Sequence, residues 1–501
     1  MKKWRRGHHG APSAKAVVAR VQAIGDRREP AMNIAGPAPS RPRAFGRNDP
    51  GASGDLMSVF TSKVVRNLFG TEAMRAIFSD DTRISHYLKV EIALAKVEAT
   101  LGVIPDAAYR EIAAKAPSFE IDWERFRTDV EAVGYPVMPF VEQLAEHCGA
   151  AGEYLHWGST TRDITDTSFM LQVRDALAVI EADLHKVRRK LREMTSRHRS
   201  TLMIARTHGK HALPSTFGFR CAVWYSEVER QCARLAALRA DTLAGQFGGA
   251  IGTFAAVGPK GIEVQRALMA ELGLEAAEIA WFASRDRVAQ VVFTIASIAQ
   301  SMASIAKTLT IMTRDEVGEA SEGGGESRGT SSAMPHKHNT VVPELVIVHG
   351  KMAAQQIPVV MESMVQDFER DWQGHFETIA VPQTFQHAHA AVTQMQVVLS
   401  GLVVHTERMR ANLDVTRGQV MAESVMMALA PKIGRKNAHH MVSRLCSAAM
   451  KEGRPLGEVL RADAETMRHL GERELAQALD PRNYIGLAEQ SVDNVLASHA
   501  G

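Results

Sequence analysis

Apolar residues return at helical spacing over most of the chain. Between Ile84 and Leu101 they recur every three or four positions, and Gly102 and Pro105 then end the pattern. Further long patterns of the same kind cover about 164–198, 216–243, 287–316, 344–371 and 384–412. Runs with the alternating, β-branched pattern of strands are almost absent. The sequence therefore predicts an all-α protein in which long helices lie side by side and bury one another in a bundle.

Breaks in the helical pattern divide the chain into four regions. Residues 1–56 show no helical periodicity and hold six of the nineteen prolines, which predicts a disordered tail. We expect an N-terminal helical domain at 57–155 and a central bundle of long helices at 156–410. A break at 412–418 marks the change to a smaller helical C-terminal domain, for which we take the bounds 411–501.

Charge is spread unevenly between the tail and the rest of the chain. Residues 1–56 contain eleven Lys or Arg and four Asp or Glu, a net +7, so the remaining residues sum to −4 within the chain total of +3. The near-neutral body argues against a nucleic-acid-binding protein. The basic tail has the composition of a transit peptide or of a nucleic-acid arm, but its prolines and its lack of interleaved aromatic residues oppose both. We interpret it as an extension and predict no nucleic-acid partner.

Cysteine spacing and hydropathy bear on metals, disulfides and membranes. The four cysteines have neither CxxC nor Cys/His metal spacing, so we predict buried reduced thiols and no metal site. The longest uncharged run, 288–306, is interrupted by polar residues and indicates a buried bundle helix rather than a membrane span. The chain opens without a secretory apolar segment, so we expect a cytoplasmic protein with no membrane partner.

Polar segments that interrupt the helices hold side chains that catalysis uses. The segment 155–163 places Thr160 and Thr161 directly before a helix, which is typical of an anion site or of an ordinary helix cap. The segment 205–211 places His208 in a glycine-containing loop, where it is either a proton donor or a solvated surface residue. Each signal alone favours the structural interpretation.

Two further polar segments are rich in glycine. The segment 246–254 indicates a tightly packed turn, because the Lys and Ser/Thr of a phosphate loop do not follow it. The segment 321–339 contains three consecutive glycines and ends in Ser-Ser-Ala-Met-Pro-His-Lys-His-Asn. Its glycines permit a mobile loop, and its lysine and asparagine offer a charge and an amide to one anion.

This last string, at 331–339, resembles the signature of the fumarase/aspartase superfamily, which includes adenylosuccinate lyase, argininosuccinate lyase and carboxymuconate cycloisomerase. The other polar segments agree in order and spacing, so the resemblance covers about 57–499. The chain looks like a divergent member. The resemblance implies a three-domain all-α fold with a tetrameric core, in which a homotetramer builds each active site from three subunits. It also implies chemistry without a cofactor.

The resemblance assigns a role to each candidate residue. Ser331 is expected to act as the base that removes a proton beside a carboxylate, and Lys337 with Asn339 to stabilise the resulting charge. Glu344 is expected to orient this cluster, and His208 to protonate the leaving group. The other substrate-binding candidates are Thr160, Thr161, His156, Thr207, Ser332 and Gln246.

Several residues depart from the pattern that the resemblance leads us to expect. Thr330 stands where Gly is usual before the paired serines, His338 replaces an Arg and Thr340 replaces a Pro. Thr161 replaces a Ser, and Thr128 stands where adenylosuccinate lyases have a His. The missing His argues against a purine-nucleotide substrate. His208 stands where cycloisomerases typically carry Trp, which argues against a simple cycloisomerase. We expect specificity at the substituted positions.

The leading hypothesis is a cofactor-independent acid–base enzyme acting on a small succinyl- or fumarate-type dicarboxylate. The predicted reaction is reversible anti-elimination, from an N-substituted aspartate to fumarate and an amine. Two alternatives use the same residues: epimerisation of an amino-dicarboxylate such as an imino-linked disuccinate, and lactonisation of a carboxymuconate. A non-catalytic helical scaffold is disfavoured, because every candidate catalytic residue is present.

Overall fold

Helices make up most of the computed structural model, which describes residues 58–323 and 328–499. This confirms the predicted all-α class. The predicted tail at 1–56 lies outside the described residues. From residue 58 onwards the described chain forms one compact unit. The domain bounds given above stay predictions.

Short helices surround one long helix in the N-terminal part. The long helix, α3, begins where the hydroxyl of Ser79 accepts the N–H of Thr82 at 3.2 Å, and it ends just before Gly102, whose φ is +66°. This agrees with the pattern read from the sequence. The helices are α1 (Arg66–Phe69), α2 (Glu72–Ile77), α3 (Asp80–Thr100), α4 (Asp106–Lys115), α5 (Trp123–Val133) and α6 (Val137–Cys148).

Long helices follow and pack on one another. They are α7 (Thr161–Arg197), α8 (Phe217–Thr242), α9 (Gly261–Leu272), α10 (Asp286–Met312), α11 (Val342–Ala354), α12 (Gln356–Glu362) and α13 (Phe376–Gly401). α7 packs against α3, α8 and α13, and α10 packs against α8, α11 and α13. The bounds of α7, α8 and α10 confirm the predicted helices at 164–198, 216–243 and, but for its last turn, 287–316.

Two predicted helices are wrong in extent. The single helix expected at 344–371 is α11 and α12 followed by irregular chain. At the end of α12 the hydroxyl of Ser363 lies within hydrogen-bond distance of the Val360 carbonyl and of Glu377 (2.7 and 3.1 Å). The helix expected at 384–412 already begins at Phe376 and ends at Gly401. There Gly323 lies so close that a Cβ on it would approach the Gly401 carbonyl oxygen to 2.0 Å.

A β-hairpin between α7 and α8 was missed by the sequence analysis. Strands β1 (Leu202–Thr207) and β2 (Lys210–Thr216) pair antiparallel from Leu202↔Thr216 to Thr207↔Lys210, with an irregularity before Arg206. Only two residues join them, and both have positive φ, as hairpin turns favour. β1 consists of four consecutive apolar residues followed by Arg206 and Thr207, so it has no alternating pattern from which a strand could be predicted.

The remaining strands are two residues long. β3 (Ala244–Gly245) pairs with β4 (Glu275–Ala276), and β5 (Ala320–Ser321) pairs with β6 (Val403–Val404). The last helices are α14 (Thr406–Asn412), α15 (Ala422–Ile433), α16 (Arg435–Glu452), α17 (Leu456–Ala462), α18 (Ala464–His469), α19 (Glu472–Leu479) and α20 (Ala488–Ser498).

The apolar core has a large part and smaller satellites. The large part runs without a break from the N-terminal helices through α7, α8, α10 and α13. A separate core lies among α15, α16, α17 and α19. A third, small cluster packs Ile204 of the hairpin against Leu413 and Met421. The hairpin is therefore held between the bundle and the C-terminal helices.

One helix in the described part of the chain, α10, is long and apolar enough to cross a membrane. Its most apolar window is 72% buried inside the protein, which confirms the predicted bundle helix at 288–306. Cys148 and Cys221 are buried, and Cys232 and Cys446 are partly buried. None of these four thiols is paired in a disulfide.

Candidate active site

The N-terminus of α7 carries the first group of candidate residues. Thr160 stands immediately before the helix, and its backbone N–H donates to the Asp163 carboxylate at 2.9 Å. Its side-chain hydroxyl accepts hydrogen bonds from both terminal nitrogens of Arg370, each at 3.3 Å. Hydroxyls, free helix N–H groups and a guanidinium together form an anion-binding arrangement.

A cavity of about 1170 Å³ opens at this helix end and is lined by Thr160 and Thr161. Four arginines also line it: Arg83, Arg127, Arg162 and Arg370. Two of them are neutralised, because Arg83 pairs with Asp80 at 3.3 Å and Arg162 with Asp166 at 3.2 Å. Arg127 and Arg370 form no ion pair with any described carboxylate. Their charge is available to an anionic ligand.

His156, which lies a few residues before α7, is hydrogen-bonded to a buried carboxylate. Glu91, which is fully buried, accepts the backbone N–H of His156 at 2.9 Å and its ring Nδ1 at 2.7 Å. His156 has a positive φ of 56°. Burial lowers the pKa of His156, but the Glu91 carboxylate raises it by more, so the net shift is upward. Because Nδ1 is bonded to Glu91, Nε2 is the ring nitrogen that remains for contact with a ligand.

Gln246 is buried in the packed turn and does not line the cavity. Its side-chain oxygen accepts the N–H of Trp281 at 2.8 Å, and its backbone exchanges two hydrogen bonds with the hydroxyl of Thr167. Burial raises the pKa of nearby Asp163 to about 7, although the N–H groups of Gly249 and Thr160 act against this. The hydrogen bonds of Gln246 to Trp281 and to Thr167 of α7 indicate that Gln246 holds the packed turn against this helix.

The loop between β5 and α11 carries the second group. The carboxylate of Glu322 accepts the N–H groups of Val341 and Val342 (2.7 and 3.2 Å), which ties the two ends of the loop together at the α11 N-terminus. Further along, the Gly329 carbonyl accepts both the backbone N–H and the side-chain amide of Asn339 at 2.8 and 3.0 Å. Residues 329–339 therefore close on themselves.

Within this closed segment the two serines differ. The Ser331 hydroxyl oxygen accepts the N–H groups of Met334 and Ala333 at 3.0 and 3.4 Å. Hydrogen bonds to an oxygen favour its charged form and so lower the cost of an alkoxide. Ser332 is exposed and receives no such bond in the described part of the chain. The geometry favours Ser331 over Ser332 as a base.

Lys337, Asn339 and Glu344 line a second cavity, of about 710 Å³. Lys307 of α10 and Arg314, two residues after that helix, also line it. Neither Lys337 nor Glu344 forms an ion pair with another described residue. The cavity therefore has three lysine or arginine side chains and three carboxylates, those of Asp315, Glu316 and Glu344, beside the end of the predicted base loop.

His208 and Thr207 form the third group, at the tip of the hairpin. His208 is exposed and has a φ of 51°, and Gly209 follows with a φ of 75°. Both positive φ values are those that a two-residue hairpin turn requires, and the turn leaves His208 exposed to solvent. The hairpin is fixed close to this tip, where Arg206 binds the buried carboxylate of Glu319 through two hydrogen bonds of 2.9 and 2.6 Å.

Within one chain these three groups are not brought together. The first cavity is lined by Thr160 and Thr161 and the second by the loop residues, and His208 lines neither. Thr128 is exposed on α5 and donates to the Glu124 carbonyl at 3.0 Å. Among residues 58–323 and 328–499, no cluster of three His, Cys, Asp or Glu side chains could hold a metal ion.

Arg370 is the residue that the sequence analysis missed. It lies in the stretch that was predicted as the end of a long helix, and its polar neighbours Asp367, Glu369 and Asp371 gave the only warning. The structure breaks the helix before it, so that Arg370 folds back to Thr160.

A bundle of long helices, with a hydroxyl-bearing helix end and a Ser-Ser-x-Met-Pro loop, defines a class of helical lyases. A family model described as "Lyase" matches residues 69–358, and one described as "Adenylosuccinate lyase C-terminus" matches residues 418–495. The chain therefore belongs to the fumarase/aspartase superfamily. It is similar to enzymes of this superfamily that are lyases and to others that are cycloisomerases.

Individual relatives match nearly from end to end. An N-acetyl-S-(2-succino)cysteine lyase of Dickeya dadantii is 36% identical, over 86% of this chain and 96% of its own length. A 3-carboxy-cis,cis-muconate cycloisomerase of Bradyrhizobium diazoefficiens is 37% identical, over 88% of this chain and 99% of its own. The crystal structure of a fumarate lyase from Mesorhizobium sp. BNC1 superposes with a TM-score of 0.81 at 42% identity, covering 86% and 99% of the two chains.

Proposed function

We propose that this chain catalyses the reversible anti-elimination of an amine from an N-substituted aspartate, releasing fumarate without a cofactor. We place the enzyme in the cytoplasm. The family supports the general reaction, and the Dickeya relative is named as a lyase of a succino adduct. His208 at its exposed hairpin turn is the observation that carries the proposal, because elimination of an amine needs a proton donor for the departing nitrogen.

One substrate carboxylate is assigned to the α7 N-terminus. Thr160 and Thr161 supply hydroxyls, and Arg370 supplies a guanidinium without a carboxylate partner among the described residues. A planar guanidinium matches a carboxylate in shape and charge. This anchor fixes the carbon skeleton before any bond changes.

The chemical step is assigned to the loop and the hairpin. Ser331, whose oxygen accepts two backbone N–H groups, removes the proton from the carbon beside a carboxylate. Lys337 and Asn339 stabilise the doubly negative intermediate, and Glu344 orients them. The electron pair then forms the double bond, the C–N bond breaks, and His208 gives its proton to the nitrogen.

A homotetramer with shared sites is part of this proposal. The three groups of residues lie apart within one chain, so a second copy is needed to bring a base loop to an α7 N-terminus. Large exposed apolar side chains on α10 and in the irregular chain after α12 support such contacts: Phe293 is 60% exposed, Val365 68% and Phe368 93%.

The direct test is an assay for fumarate, by its ultraviolet absorbance, from a panel of N-substituted aspartates. Ser331→Ala and His208→Asn are each expected to lower kcat by about 10²–10⁴-fold, because each removes an acid–base group. Ser332→Ala is the matched control for Ser331 and is expected to retain most activity. Full activity in both Ser331→Ala and His208→Asn contradicts the assignment.

Lactonisation of a carboxymuconate is the second candidate, because the Bradyrhizobium cycloisomerase matches over 99% of its length. Carboxymuconate belongs in the same panel. Its turnover, with none of the aspartates, makes this second candidate the function.

A further inference from the structure

The cavity at the α7 N-terminus has a wall that the elimination itself does not use. Tyr135, just after α5, and Trp372 both line it, and their rings stack with centroids 5.2 Å apart and planes 22° apart. The two rings remain 39% and 58% exposed. A stacked aromatic pair that is this accessible offers a flat apolar surface to a ligand.

Arg127 adds a charge to the same wall. It lies on α5, lines the cavity and forms no ion pair within the described residues, although Glu131 follows one helical turn later. Its neighbour Arg125, in contrast, pairs with Asp129 and Glu146. An arginine that faces a cavity without a counter-ion suits an acidic group of a ligand.

The size of the cavity points in the same direction. In the proposed function, Thr160, Thr161 and Arg370 hold one carboxylate of the four-carbon substrate, which takes up only a small part of this cavity. The cavity volume of about 1170 Å³ exceeds the roughly 300–1000 Å³ of pockets that take much larger, drug-sized ligands. Room therefore remains for a sizeable leaving group as well as for protein segments that close the site.

We propose that the leaving amine carries a flat ring with an acidic substituent, the ring stacking on Tyr135 and Trp372 and the acid binding Arg127. The inference rests on the proposed elimination. In that step Ser331 takes the proton from carbon, the C–H electron pair becomes the double bond, and the C–N pair stays on nitrogen, which His208 protonates. The products are fumarate and an aryl amine.

Four adducts of aspartate separate the ring from the charge. They carry on nitrogen a phenyl, a carboxyphenyl, a cyclohexyl or a carboxycyclohexyl group, and kcat/KM is measured for each. Aryl amines differ from alkyl amines in their own leaving ability, so only changes in a ratio between the wild type and a variant are interpreted. In the wild-type chain we expect the carboxyphenyl adduct to react best.

The acid contact is tested by Arg127→Gln. We expect the carboxyphenyl-to-phenyl ratio of kcat/KM to fall about tenfold, as for loss of one charged hydrogen bond. Arg473→Gln is the matched control. Like Arg127, Arg473 is exposed on a helix and forms no ion pair with another described residue, but it belongs to α19 and does not line this cavity. An unchanged ratio in Arg127→Gln overturns the acid contact.

The ring contact is tested by Trp372→Ala, with Trp372→Phe as the variant that keeps a ring. We expect the phenyl-to-cyclohexyl ratio to fall about two- to tenfold in the first and to be largely retained in the second. Trp157→Ala is the matched control, since Trp157 is 41% exposed and stacks on Tyr154 but does not line the cavity. Equal ratios in Trp372→Ala and wild type overturn the ring contact.

The outcomes also separate this inference from the reaction on which it rests. Fumarate from the adducts with ratios that no variant changes overturns the leaving-group assignment and leaves the elimination standing. No fumarate from any of the four, or from the wider panel, overturns both.

Discussion

The α7 N-terminus, which is proposed to bind a substrate carboxylate, and the loop before α11, which carries the proposed base, are stabilised in different ways. At the α7 N-terminus, Arg285 is 1% exposed and binds both Asp166, at 3.1 Å, and Glu377, at 2.7 Å, so the arginine-lined wall rests on a buried ionic network. In the loop before α11, most hydrogen bonds join loop residues to each other, and Lys337 is exposed. The difference indicates that the proposed binding region for the substrate carboxylate is rigid and that the loop carrying the proposed base is more adaptable.

The strongest way to break the comparison is to remove the centre of the buried network. Arg285→Met leaves Glu377 buried without a counter-ion and Asp166 with Arg162 alone, so we expect the free energy of unfolding to fall by about 3–5 kcal/mol. Urea denaturation followed by circular dichroism measures this. Arg473→Gln, at an exposed helix position, is the control. A loss below about 1 kcal/mol contradicts a structural role for the network.

We expect a falling pH to lower the free energy of unfolding through a histidine of the bundle rather than through the loop before α11. His349 donates from Nε2 to the Leu68 carbonyl, so its Nδ1 accepts the Nδ1–H of buried His387 at 3.0 Å. Burial, and to a smaller degree His349, lowers the pKa of His387 to about 4. An unfolded histidine binds its proton near pH 6.5, so unfolding takes up a proton between these values. Stability is therefore present above about pH 6.5 and lost as the pH falls towards 4, by about 3 kcal/mol in total.

The measurement is the free energy of unfolding at several pH values between these limits. His387→Gln removes the titrating ring, and we expect a shallower dependence on pH. His336→Gln removes an exposed histidine of the loop instead, and we expect the dependence of the wild type. Identical curves for all three proteins contradict the assignment to His387.

The smallest expected effect on stability is in the loop itself. Lys337→Ala should change the free energy of unfolding by less than about 0.5 kcal/mol, because the side chain is exposed and unpaired among the described residues. The same substitution should lower kcat by about 10²–10³-fold if Lys337 stabilises the intermediate. A large loss of stability with little loss of kcat reverses the comparison.

The sequence predicted the helices that periodicity alone specifies. α7, α8 and α10 are long and strongly patterned, and their bounds were found to within a few residues. The stretch 344–371 has the same pattern, but α11 ends at Ala354 and α12 at Glu362, and apolar spacing alone does not mark these ends. The hairpin was missed because β1 is a short apolar run without alternation.

The candidate site was predictable only in part. Thr160, Thr161 and the loop at 331–339 were found because their residue types are local and distinctive. Arg370 was not, because its partner Thr160 is 210 residues away in the sequence. Likewise, no local signal connects Glu91 to His156 across 65 residues. Long-range polar pairs of this kind require the fold.

Glu319 sets a boundary for anyone who redesigns this enzyme. Its carboxylate binds Arg206 beside the tip of the hairpin and also Asn412 at the end of α14. Glu319 lies one residue before β5, after which the loop with the proposed base begins. Libraries for new substrates should therefore randomise the hairpin tip and the loop but keep these three residues together. A single exchange among them shifts acid and base at once, and the changed selectivity would then have no separable cause.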